Sequence, residues 1–157
     1  MIRRNAFFAT MQKKISYKTV QGKEMTLERF PFFGKLDSQA HEFLKTHLQP
    51  IEVPKDTLLF EKGDICDGVL FLNEGEIEVY KNSNENKKVL YTLQPGEQCI
   101  VNLASALSQT KAIASATSLS DLKGYLLDMY SLRELARNSF AYQEYIFALY
   151  RLDFLEE

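Results

Sequence analysis

Between Gln49 and Asp128 apolar residues alternate with polar ones over short stretches, each ended by turn chemistry. Ile51 and Val53 alternate in "IEVP", and "TLLF" is a short apolar run. In "GVLFLNEGEIEVYK" two strands flank Glu74-Gly75, with Ile77 and Val79 on one face and Glu76, Glu78 and Tyr80 on the other. "VLYTL" puts Val89, Tyr91 and Leu93 on one face. Gly63-Asp64, the polar run "NSNENKK" and Pro95-Gly96 supply turns, and "SATSL" with "KGYLLD" forms a last strand pair around Ser120-Asp121. Seven or eight short strands at close intervals predict an antiparallel barrel or jelly roll, which avoids exposed sheet edges.

Helical spacing brackets this region. Pro31 breaks the chain within an aromatic knot of Phe30, Phe32 and Phe33, and Asp37 and Ser38 then offer N-cap oxygens. Leu36, Ala40, Phe43, Leu44 and Leu48 follow near helical spacing. Residues 131–157 carry no breaker and predict one helix with two apolar stripes. Tyr142, Tyr145, Leu149 and Leu152 keep heptad spacing with Ile146 beside them; Phe140, Phe147 and Phe154 recur every seven residues. One stripe can pack on the barrel and the other needs a partner, so Tyr142, Tyr145, Ile146, Leu149 and Leu152 are expected to form a homodimer seam. The fold class expected is α+β, mainly β: an antiparallel roll with flanking helices and a long C-terminal helix.

Composition narrows the functions open to such a chain. Its 157 residues suffice for one domain with a real core, and 45% hydrophobic with 25% charged residues is a globular balance. A formal net charge of -2 gives no basic excess for nucleic-acid binding. Residues 1–27 form a basic leader, and their apolar stretch Ala6–Ala9 is too short for a signal peptide. No segment has the length of a transmembrane helix, so a cytoplasmic, membrane-free protein is expected. Cys66 and Cys99 lie far apart in sequence, and His41 and His47 lack the i, i+4 spacing of a helical metal pair.

Three stretches carry a resemblance. "LLFEKGDICDGVLFLNEGEIEVYK" is similar to a strand–Gly-Asp–strand–Gly–strand signature, "LQPGEQC" to the turn that opens a ligand cassette, and "LLDMYSLREL" to a last strand and short helix. Together, over about residues 28–157, they resemble the cyclic-nucleotide-binding fold of the Crp/Fnr superfamily. The resemblance implies a sensor roll over 28–138, a dimerisation helix over 139–157 and a small effector held in the roll. It implies contact with DNA only through a helix-turn-helix domain, which this chain lacks. An end so near the expected domain boundary points to a piece of a longer regulator.

The family's nucleotide-binding members use a glutamate for the ribose 2′-hydroxyl and an arginine for the cyclic phosphate. Here the glutamate's place falls at Val101–Leu103 and the arginine's at Ala112, with Lys111 adjacent. A lysine supplies a point charge without the bidentate fork, so an effector other than cAMP is expected. The cassette residues left to hold one are Gly96, Glu97, Cys99, Asn102, Ser105, Lys111 and Ser115. Its apolar character admits haem as a cofactor of a nitric oxide or carbon monoxide sensor, with His41, His47, Cys66, Cys99 or Met129 as axial candidates. Two distant cysteines exclude an iron–sulfur cluster within this chain. No His/carboxylate cluster or nucleophile–base pair supports an enzyme. A stand-alone module that regulates a partner protein is the other reading.

Overall fold

The computed structural model describes residues 27–155, with side chains placed through Tyr150. Seven strands form two antiparallel sheets facing one another. β1 (Gln49–Val53), β7 (Leu122–Asp128) and β3 (Gly68–Glu74) make one, in the order β1-β7-β3. β2 (Leu58–Phe60), β6 (Ser115–Ser118), β4 (Ile77–Ser83) and β5 (Asn86–Leu93) make the other, in the order β2-β6-β4-β5. The expected jelly roll and its turns are therefore present. Ile77 and Val79 face the core, as their alternation requires.

One face assignment is corrected. β5 pairs Leu93 with Ile77 and Tyr91 with Val79, but then Val89 with Tyr80. Leu90 is an extra residue, a β-bulge, and it turns Val89 to the outer face, where it is exposed. Alternation read straight through "VLYTL" misses this flip.

α1 (Ser38–His47) begins where expected: the Asp37 carboxylate accepts from the Ala40 N–H at 2.8 Å. Leu44 and Ala40 bury its inner face. α2 (Ile100–Ser108) lies between β5 and β6. The single terminal helix predicted from periodicity is two helices, α3 (Met129–Asn138) and α4 (Phe140–Leu155), in the order the resemblance implied. Between them Ser139 is extended, with φ -117° and ψ 108°. Its N–H closes α3 on the Leu135 carbonyl, while its Oγ accepts from the Tyr142 N–H. One serine thus ends one helix and caps the next.

The aromatic knot locks α4 to the roll. Phe30, Phe32 and Phe71 meet at centroid distances of 5.6–6.1 Å, and Phe32 meets Tyr142 edge-on at 5.1 Å. Tyr142 is fully buried and Ile146 nearly so, while Tyr145 and Leu149 pack partly buried on the same core. The stripe assigned to a dimer seam is in large part intramolecular, because the Phe30–Phe32 knot already covers it. Among the described side chains of α4, Phe140 and Phe147, at 73% and 72% exposure, are the most exposed large apolar ones, with Tyr150 at 39%. The side chain of Leu152 and most of the basic leader lie outside the described residues.

Candidate functional site

The segment between β5 and β6 is built as a cassette. Pro95-Gly96 turns it, with Gly96 at φ +89°, and a Cβ there would stand 2.5 Å from the Arg29 carbonyl oxygen. The Glu97 carboxylate accepts from the Gln94 N–H at 2.8 Å and fixes the turn. α2 then packs inward with Ile100, Val101, Leu103 and Ala106 buried. Its C-terminus is held by Gln109, whose amide donates to the Cys66 and Ala106 carbonyls. Arg133 of α3 reaches the Leu107 carbonyl at 3.2 Å.

Most polar side chains expected to face an effector are engaged with the protein's own backbone. Asn102 is 2% exposed; its amide donates to the Gly68 carbonyl at 2.9 Å and accepts from the Leu70 N–H at 3.1 Å. It therefore fastens α2 to β3. The Ser105 hydroxyl donates to the Thr110 carbonyl at 2.7 Å and accepts from the Cys66 N–H at 2.9 Å. Ser115 accepts from the Lys62 N–H at 2.8 Å. The Cys99 thiol meets the Tyr91 hydroxyl at 3.3 Å. Lys111 stays exposed. Ala112 is buried, bonded through its backbone to Gly63 and Asp64 at 2.8 and 2.7 Å. Val101 is also buried.

Sequence reading missed Gln98. It is 3% exposed, and its amide oxygen accepts from the Tyr142 hydroxyl at 2.8 Å, tying the mouth of the cassette to α4. Only the contact with α4 gives this glutamine its role, and that contact is long in sequence. Burial pushes the Tyr142 hydroxyl far above the ordinary tyrosine range, and it pushes Tyr145 up to about 12.

The haem reading finds no support in this geometry. The His41 ring nitrogen is bonded to the Phe33 carbonyl and that of His47 to the Phe43 carbonyl, both on α1 and its approach. Desolvation holds the buried Cys66 thiol protonated, with its pKa pushed up to about 11, and Met129 is core. Among the described residues no group of three or more His, Cys, Asp or Glu could hold a metal ion, and no helix is long and apolar enough to cross a membrane. A groove of about 330 Å³ lies between α1 and α3, away from the cassette, and its Asp37 is already spent as a helix cap.

Residues 50–139, more than half of the chain, match the cyclic nucleotide-binding domain family. The chain belongs to that family. No curated protein sequence matches it. The Thermus thermophilus catabolite activator protein superposes with a TM-score of 0.70 at 20% identity, over 80% of this chain and 59% of that one. A crp/fnr-family regulator from Eubacterium rectale gives a TM-score of 0.70 at 18% identity, over 81% and 59%. The regulatory domain of Toxoplasma gondii PKA, solved with cAMP, gives 0.62 at 19% identity, over 69% and 41%. This cyclic nucleotide-binding domain thus spans about three-fifths of the two bacterial regulators. At these identities the likeness establishes the fold: a jelly roll with the cassette between β5 and β6.

Proposed function

We propose that this domain is the sensor of a Crp/Fnr-like transcription regulator. It binds a small effector other than cAMP and passes the signal through α4 to a DNA-binding domain beyond this chain. It works in the cytoplasm as a homodimer. One observation carries the choice of effector: at Val101–Leu103 and Ala112, where the resemblance calls for the glutamate and arginine of a nucleotide site, Val101, Leu103 and Ala112 are apolar and buried and the Asn102 amide is spent on the β3 backbone. The first segment carries no carboxylate for a ribose hydroxyl and Ala112 no fork for a phosphate. Asn102, Ser105 and Ser115 stiffen the cassette, leaving Glu97 and Lys111 as the outward-facing members of the expected set. The bond from Tyr142 to Gln98 supports α4 as the output element, because displacing the cassette mouth must strain that bond. Titration with a fluorescent cAMP analogue is expected to give no saturable binding in the micromolar range. A micromolar Kd displaced by unlabelled cAMP overturns the assignment.

A further inference from the structure

The start of α2 is the loosely fastened end of the cassette. Asn102, Ser105 and Gln109 bind the rest of the helix to backbone groups of the roll. The N-cap residue, Cys99, supplies no side-chain capping bond to the first N–H groups of α2. The mouth is tied instead to α4, through Gln98.

Gln98 is 3% exposed, and only part of its amide is used. The oxygen accepts from the Tyr142 hydroxyl at 2.8 Å, while Nε2 has no hydrogen-bond partner among the described residues. The Tyr145 hydroxyl is also buried and also lacks one. It stands beside the same turn. After desolvation, its pKa responds to the Gln98 backbone, which lowers it, and to the Glu97 carboxylate, which raises it. Tyr142 and Tyr145 are three residues apart on α4, neighbours on one helix face, with ring centroids 5.8 Å apart. Phe32 packs on both rings, at 5.1 and 4.6 Å. The two hydroxyls are therefore fixed posts, and the amide beside them is the part that can move. A buried donor and a buried hydroxyl each cost stability while unpaired. A small displacement of the mouth along α4 pairs them with each other.

We infer that Gln98 is a two-position latch between the cassette and α4: here its amide is fastened to Tyr142, and in a second state it is fastened to Tyr145 through Nε2. The inference deepens the sensor reading above by naming the contact through which a displaced mouth acts on α4, and it rests on that reading for the direction of the signal. Gln98 and Tyr145 act as positioning residues, with no need to touch the effector. An effector that prefers one position of the mouth shifts the latch by its difference in affinity for the two states.

The test uses the full chain without any effector. Nitrogen-15 relaxation dispersion is recorded on the Gln98 side-chain amide and on the backbone of residues 97–101. The native protein should show exchange on the microsecond-to-millisecond scale, and Tyr145→Phe should abolish it by removing the second post. Thermal unfolding separates the latch from a purely structural role. Tyr145→Phe should melt no lower than the native protein, because the hydroxyl it removes has no partner in this state. Tyr142→Phe breaks the existing bond and should lower Tm. Absence of exchange in the native protein, exchange that persists in Tyr145→Phe, or equal Tm values for the two variants overturns the inference. Micromolar cAMP binding would instead overturn the choice of effector and leave the latch standing.

Discussion

Asn102 shows how one side chain can decide between holding a ligand and holding a fold. Its amide is buried and spans the gap from α2 to β3, satisfying one donor and one acceptor of the strand backbone. Asn102→Ala would leave both buried groups without partners, a loss of about 2–3 kcal/mol. Urea denaturation should register it as a lower midpoint with an unchanged slope. The buried acids give a second expectation at this scale. Cys66 is raised from 9.0 to about 11 and Tyr145 from 10.0 to about 12, both chiefly by desolvation, and Tyr142 moves the same way. The folded state keeps these protons at a pH where the unfolded chain has released them. Above about pH 9 the unfolded state therefore binds fewer protons, and stability falls as pH rises toward the folded values. Below that pH these groups contribute no slope. Urea midpoints compared at about pH 8 and about pH 10 should show the loss, each group contributing up to about 1.4 kcal/mol per pH unit. A flat response would mean that these side chains are solvated.

At the level of elements, periodicity was informative and punctuation less so. Ile51/Val53, Ile77/Val79 and the Asp37 cap read directly as strands and a helix start, because each depends on neighbours close in sequence. Two features did not. The bulge at Leu90 shows only in the pairing with β4, since "KKVLYTL" by itself fits an unbroken strand. Periodicity hid the joint at Ser139, which only the resemblance implied with its short helix before residue 139: a serine inside a helical run is tolerated, and propensity alone does not reveal that its hydroxyl faces the Tyr142 N–H. The polar cassette residues were visible as residue types, but the backbone N–H groups that Asn102, Ser105 and Ser115 accept from lie 32 or more positions away. The joint can be tested by removing the cap. Ser139→Ala should cost about 1 kcal/mol, while Ser139→Asp should keep most of the stability. Equal melting temperatures for Ala and Asp would show that the hydroxyl does not cap α4.

For the whole molecule, the two stripes of α4 divide the work differently from the pattern in the sequence. Tyr142 and Ile146 join the domain's own core, tied through Phe32 and Gln98. Phe140 and Phe147 remain outside, one helical face apart from that core, and Phe147 is the better probe because it lies well inside α4. A charge at Phe147 has water around it in a single protomer, so Phe147→Glu should change protomer stability by less than about 0.5 kcal/mol. In a homodimer seam the same carboxylate would be buried without a partner, and the pair should separate. Leu149→Glu cannot make this distinction, since Leu149 packs on the protomer's own core and its loss would weaken the fold as well. Sedimentation velocity on the native chain and on Phe147→Glu should therefore give a dimer and a folded monomer. A native monomer, or a dimer that survives Phe147→Glu, would remove the seam from this face of α4. Signal transfer would then have to run within one protomer, from Gln98 to Tyr142.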